Sequence, residues 1–255
     1  TLTEAEVTGQ RFMEKAKVTT IEELRQLPAL ELQRISNNQE IGRVGITEDG
    51  YVVPKNLMAH FKNGKQQQIP IISGWVTGDG DFLGGNEMTV EEYNEEAIAN
   101  YGNKAASFLT IFPAVTNEEV KKMKSKLGML NFAGVPSHLL ANYNTKPSYL
   151  YQFGHIPPEK KDFPNYGAFH TSEVPYALHT LHTWNRDWQP SDKTIEDVLS
   201  SYWVNFAKTG NPNGDNLPIW NTYDKQSGSI MVIDETTLSS KEGFMKNEIK
   251  FLSEL

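Results

Sequence analysis

His170 and Asp79 are the side chains of this 255-residue sequence whose types and order suit proton-transfer chemistry. His170 follows a Gly-Ala-Phe turn, and no Cys or His cluster accompanies it that would make it a metal ligand, so it reads as an exposed base. Acyl transfer by a serine needs a nucleophile, a base to take its proton, and a carboxylate that orients the base and stabilises the imidazolium. In hydrolases that carry the nucleophile on a strand-to-helix turn, the chain order is serine, acid, histidine. Asp79 and His170 fit the last two places. Each also has a plainer reading, since an Asp between glycines caps its own turn and a single His is as readily a surface or core residue.

The first place is empty. A nucleophile on such a turn is written Gly-x-Ser-x-Gly, because glycines leave room for the strained backbone. No Ser of this sequence is flanked in that way: Ser137 lies in Gly-Val-Pro-Ser-His-Leu, and Ser107 and Ser201 lie in apolar-periodic helical runs. The Gly84-Gly85 pair follows Leu83, so no His-Gly-Gly-Gly stretch offers oxyanion-hole amides. The glycine loops also lack the Lys-Ser/Thr context of a phosphate cradle.

The elements that must position these residues follow from periodicity. Ile69 to Gly74 is a short continuous apolar run, the pattern of a strand covered on both faces, and Trp75 to Phe82 is the loop at its C-terminal end, where open α/β sheets build sites. Helical patches follow at Val90–Tyr101, Ala105–Phe112 and Asn117–Leu127, then a strand at Tyr149–Phe153. A polar loop, 157–162, leads to the His170 block, and a helix over 193–209 with Tyr202, Trp203 and Phe206 on one face stops at Gly210. Ile230–Ile233 is a late strand, and 242–255 a closing helix. Near the N-terminus, 3–17 is helical, Thr20–Glu23 opens a second helix that Pro28 ends, 42–46 and 49–54 read as extended segments around a turn, and 56–62 as a short helix. His179 and His182 are spaced as on a helix face and read as packing or surface residues; Trp184, Trp188, Trp203 and Trp220 read as packing. No linker or repeat marks a boundary, so 1–255 reads as one mixed α/β unit.

Two stretches carry a family resemblance: Gly167-Ala-Phe-His170-Thr-Ser-Glu173-Val-Pro-Tyr176-Ala-Leu178, and Tyr202-Trp-Val-Asn-Phe-Ala-Lys-Thr-Gly210-Asn-Pro-Asn-Gly214. Together they resemble the type-B carboxylesterases, the family of the cholinesterases, with the first stretch surrounding the catalytic His. The resemblance implies the C-terminal half of an α/β-hydrolase fold, with the nucleophile-bearing N-terminal half absent. It also implies that Asp79 is the acid, since Ile71-Ile-Ser-Gly-Trp-Val-Thr-Gly-Asp79-Gly-Asp81-Phe82 matches the family's acid motif. The family more often has Glu there, which leaves Asp81, lacking the following Gly, as a second candidate. Glu173 resembles the motif's supporting buried carboxylate, although an acid at the start of a helix is also favoured by the helix dipole. Phe169 and Tyr176 fall where the family lines its pocket. The resemblance further implies hydrolysis of a small-molecule carboxylic ester through an acyl-enzyme, no metal or organic cofactor, and the N-terminal half of the same enzyme as partner, this chain alone being inactive.

Composition limits the alternatives. With 38% apolar and 22% charged residues the chain is expected to fold, and a net charge of -8 argues against a nucleic-acid partner or an anionic membrane surface. No apolar run is long enough to span a membrane. The start, Thr1-Leu2-Thr3-Glu4, is neither an initiator Met nor a signal peptide, as expected of a processed or clipped chain. The absence of Cys rules out a disulfide framework and resembles a bacterial relative more than the disulfide-bonded animal cholinesterases; the compartment stays open. The rivals to an esterase are a non-catalytic cholinesterase-like adhesion or recognition module and a ligand-binding α/β domain.

Overall fold

The computed structural model describes the whole chain except residues 39, 43, 44, 82–87 and 162. It divides into two compact units, Thr1–Gln66 and Gln67–Leu255, a division that composition does not mark.

The first unit is helical. Thr1 and Thr20 close capping boxes with Glu4 and Glu23 and so start α1 (Leu2–Ala16) and α2 (Ile21–Arg25). Pro28 does more than end α2: it is the N-cap of an additional helix, α3 (Ala29–Ser36), because a residue before the first turn loses nothing by lacking an amide hydrogen. The extended segments expected over 42–54 are not strands among the described residues; Arg43 and Val44 fall outside them. Asp49 instead folds its carboxylate onto the amides of Tyr51, Val52 and Val53, a local turn that competes with pairing. Asn56 then caps α4 (Leu57–Lys62). Ile35 and Ile41 are the buried apolar side chains described in this unit.

The second unit is a four-stranded sheet in the order β1 (Ile71–Val76), β2 (Ser148–Phe153), β3 (Ile230–Ile233), β4 (Leu238–Lys241). β1–β2 and β2–β3 are parallel, and β3–β4 is antiparallel. β4 was not legible in its mixed Ser and Lys pattern. Trp75 and Val76 belong to β1, so the expected loop begins at Thr77; its Phe82 lies outside the described residues, as do Gly84 and Gly85. Alternation along the strands sends side chains to two faces. Leu150 and Ile230 point into one core with Trp75, beneath α5 (Val90–Tyr101), α6 (Ala105–Ile111), α7 (Asn117–Met129), α8 (Val135–Tyr143) and α11 (Lys246–Ser253). Tyr149, Tyr151, Phe153, Met231 and Ile233 point into the other with α9 (Val174–Ala177), α10 (Pro190–Thr209) and Trp220. Each fully buried large side chain here contributes roughly 2–3 kcal/mol of apolar burial.

Two other elements differ from expectation. α10 starts at Pro190, because Pro suits the first helical position and Asp192 closes a capping box on Gln189. The segment after α7 is helical: a π-turn, Leu130–Gly134, joins α7 to α8.

Candidate active site

Asp79 and His170 meet at the C-terminal edge of the sheet. β1 delivers the first, and its extension is tied to the end of β2 and then to the segment carrying the second: Thr77 N–H donates to the Phe153 carbonyl (2.9 Å), and Gly78 N–H to that of Ala168 (2.9 Å). Gly78 and Phe169 form an isolated parallel bridge. A Cβ on Gly78 would sit 2.5 Å from the Ala168 oxygen, so the two loops approach this closely only because residue 78 has no side chain. His170 then sits in a tight turn with Thr171 in the left-handed region (φ 72°) and Ser172 N–H bonded to the Phe169 carbonyl. Left-handed backbone at a β-branched residue is costly and is characteristic of sites where the backbone must aim a side chain.

The result is a short contact, His170 Nδ1 to Asp79 Oδ1 at 2.6 Å. The carboxylate is buried (6% exposed) while the imidazole is 53% exposed. Asp79 Oδ2 is held in turn by Val76 N–H (2.9 Å). Asp81, the second candidate, points elsewhere and accepts a hydrogen bond from Ser125 Oγ.

Glu173 follows in the cap of α9 and stands near the pair. Tyr151 donates to its Oε1 (3.3 Å), while Oε2 is buried without a partner among the described residues. Burial, reinforced by the negative charge of Asp79, raises the Glu173 carboxyl above the usual range despite the hydrogen bonds that oppose this.

The two pocket candidates separate. Phe169 is half-buried beside His170, stacked near-parallel (12°, centroids 6.4 Å) with Trp184, and the Arg186 guanidinium lies 5.7 Å from each ring. Tyr176 is fully buried: its ring packs against Phe153, His155 and Trp188, and its hydroxyl donates to Asp192 Oδ1 at 2.7 Å. An aromatic ring carrying one hydroxyl suits a core position provided that hydroxyl finds a partner.

That partner belongs to a buried polar network which the sequence reading missed. Asp192 Oδ1 also meets His155 Nε2 at 2.6 Å, and its Oδ2 accepts from Gln189 N–H (2.7 Å). Glu196, one turn on, accepts from Leu181 N–H (2.9 Å). These contacts fasten the segment after His170 to α10. Asp192, Ile195, Glu196, Leu199 and Tyr202 are all buried at helical spacing, so the signal was an acid within an apolar stripe.

His179 and His182 do not share a helix face. His179 sits in a left-handed turn (φ 55°) with Nε2 3.1 Å from Asp197, and His182 is exposed in a 3₁₀ turn, Leu181–Thr183. Among the described residues no group of three or more His, Asp or Glu is placed to hold a metal ion, and no helix is long and apolar enough to cross a membrane.

Comparison with known proteins gives these residues a context. A model described as the Carboxylesterase family matches residues 4–252. Carboxylesterase 1C of Rattus norvegicus is 23% identical over 254 residues, covering 91% of this chain and 46% of that protein. Carboxylesterase 4A of Bos taurus is 33% identical over 109 residues, or 41% and 18% of the two chains. Bile salt-activated lipase of Rattus norvegicus is 29% identical over 117 residues, or 44% and 19%. The chain spans less than half the length of these relatives.

Proposed function

The chain belongs to the carboxylesterase family, and from that premise we propose that it supplies the acid and the base of a serine carboxylic-ester hydrolase whose nucleophile is carried by an N-terminal half. The family implies the α/β-hydrolase fold, to which the mixed sheet with helices on both faces belongs. The observation that carries the reading is the 2.6 Å contact between His170 Nδ1 and Asp79 Oδ1. A carboxylate can only accept, so Nδ1 holds the proton and Nε2 is the nitrogen that takes the serine proton. As Oγ attacks the ester carbonyl, Nε2 is protonated and Asp79 steadies the imidazolium. The imidazolium then returns the proton to the leaving alcohol, and a second cycle with water releases the acid. Glu173 supports the pair from behind, and Phe169 with Trp184 forms a wall of the substrate site.

Two observations support a missing half. No Gly-x-Ser-x-Gly occurs in the sequence, and among the described residues β1 pairs on one side only, its first four residues being half-exposed where every residue of β2 is buried. A strand edge of this kind is a template for a further strand.

The test is turnover of a p-nitrophenyl ester by the intact protein, meaning this chain together with its nucleophile-bearing half. His170→Ala is expected to lower kcat by several orders of magnitude with binding nearly unchanged, roughly as for other triad deletions. Wild-type turnover by that variant would remove His170 from the chemistry, whereas binding of the ester without turnover by the intact protein would favour the binding-module reading. This chain alone is expected neither to hydrolyse the ester nor to be labelled by an organophosphate, since both require an activated serine.

A further inference from the structure

We propose that the end of α7 and the π-turn after it brace the acid–base pair, with Phe132 the positioning residue for the His170 imidazole; this rests on the reading of His170 as the base. Three contacts leave this helical segment at the spacing of one face. Ser125 Oγ donates to the Asp81 carboxylate. Gly128 meets Gly80 so closely that a Cβ on Gly80 would lie 2.4 Å from the Gly128 carbonyl carbon. The Phe132 ring meets the His170 ring edge to face, centroids 5.5 Å apart and planes at 87°. The first two fix the loop that holds Asp79, and the third reaches the residue Asp79 orients.

The sequence explains why Phe132 is available. Pro136 has no amide hydrogen, and its ring clashes with the carbonyl four residues back in a regular helix, which here is that of Phe132. The helix widens at that point: Val135 N–H bonds to the Leu130 carbonyl, five residues back. Such single π-turns recur at functional sites. Leu130 stays fully buried in the core, while Phe132 is 41% exposed and its ring meets that of His170.

His170 has use for this contact. The bond from Nδ1 to Asp79 sets a distance, but it leaves the ring able to turn about the bond direction, and the second torsion of a histidine is broad. An aromatic ring set at right angles restricts that turning and holds Nε2 on one heading.

The experiment follows the proton shared by His170 Nδ1 and Asp79 through its far-downfield NMR resonance in the 255-residue chain, and kcat and KM for p-nitrophenyl acetate in the intact protein. Phe132→Leu is expected to broaden or abolish the resonance with little change in Tm, and to lower kcat roughly tenfold with KM unchanged. Phe132→Tyr is expected to keep both. If the Leu variant folds poorly, Phe132→Met, similar in volume, reads the same contact. An unchanged resonance and kcat in Phe132→Leu overturns the proposal, as does a rise in KM alone, which would make Phe132 only a substrate wall. Absence of the resonance from the unsubstituted chain overturns it too. Full turnover by His170→Ala, with the resonance still dependent on Phe132, would sink the base reading and leave the brace intact.

Discussion

Gly80 and Gly128 touch backbone to backbone, and the contact fixes the residue that follows Asp79 against the helix bracing it. Gly80 also has φ +86°, a conformation that L side chains rarely adopt. Gly80→Ala therefore meets two penalties, strain and a clash with immovable backbone, and is expected to cost roughly 2–4 kcal/mol in urea unfolding. Gly167→Ala is the control, since φ is +66° there but nothing lies within 4 Å of the added Cβ. It should cost about 1 kcal/mol. Equal losses for the two variants would show that the contact with Gly128 is not tight.

The two acids of the Asp79-Gly80-Asp81 stretch should respond differently. Asp79→Asn leaves the shape of the His170 contact intact but favours the wrong imidazole tautomer, and kcat of the intact protein is expected to fall by about 10³–10⁴. Asp81→Asn removes a negative charge but keeps an oxygen that can accept from Ser125, so the loop stays braced and kcat should stay within a few-fold. If Asp81→Asn gives the larger loss, the acid has been misassigned.

The strands and the Asp79–His170 contact were legible where one signal dominated. Ile69 to Gly74 is a short unbroken apolar run, and Val90–Tyr101 is opened by a capping box, so both elements appear near their expected limits. Residue type and chain order left Asp79 and His170 with plainer readings beside them, and the family motif singled them out, because a contact between two loops leaves no periodic trace. Tyr176 was misjudged for a similar reason: the same ring serves a pocket or a core, and the difference is its distant partner Asp192. Pro136 hid the helix over 135–143, since an internal Pro argues against a helix until a π-turn accommodates it.

His138 gives the second unit an acid sensitivity. Burial pushes its imidazole down from 6.5 to about 4; Nε2 lies 2.8 Å from the Tyr223 hydroxyl, and Nδ1 is buried without a partner among the described residues. Between pH 6.5 and about 4 the unfolded chain takes up a proton on this residue that the folded chain refuses. Stability therefore falls as the pH falls through that window, and this group causes no further loss below it. His138→Gln can still bond Tyr223 but does not titrate. Its Tm should fall less than that of the unsubstituted chain between pH 7 and pH 4, by several degrees. Parallel Tm curves would show that His138 is protonated in the fold or that another group dominates.

Tyr176→Phe separates the core reading of this residue from the pocket reading. The hydroxyl donates to Asp192 Oδ1, which keeps His155, while Oδ2 keeps the Gln189 amide, so the acid is not stranded when the hydroxyl is removed. The loss should be about 1.5–3 kcal/mol in urea unfolding, the value of a hydrogen bond to a charged group. KM for esters should not move, because the ring is fully buried and touches Phe153, His155 and Trp188 rather than an open surface. A rise in KM at unchanged stability would put Tyr176 against the substrate after all, and would mean that the segment between His170 and α10 opens in the intact protein.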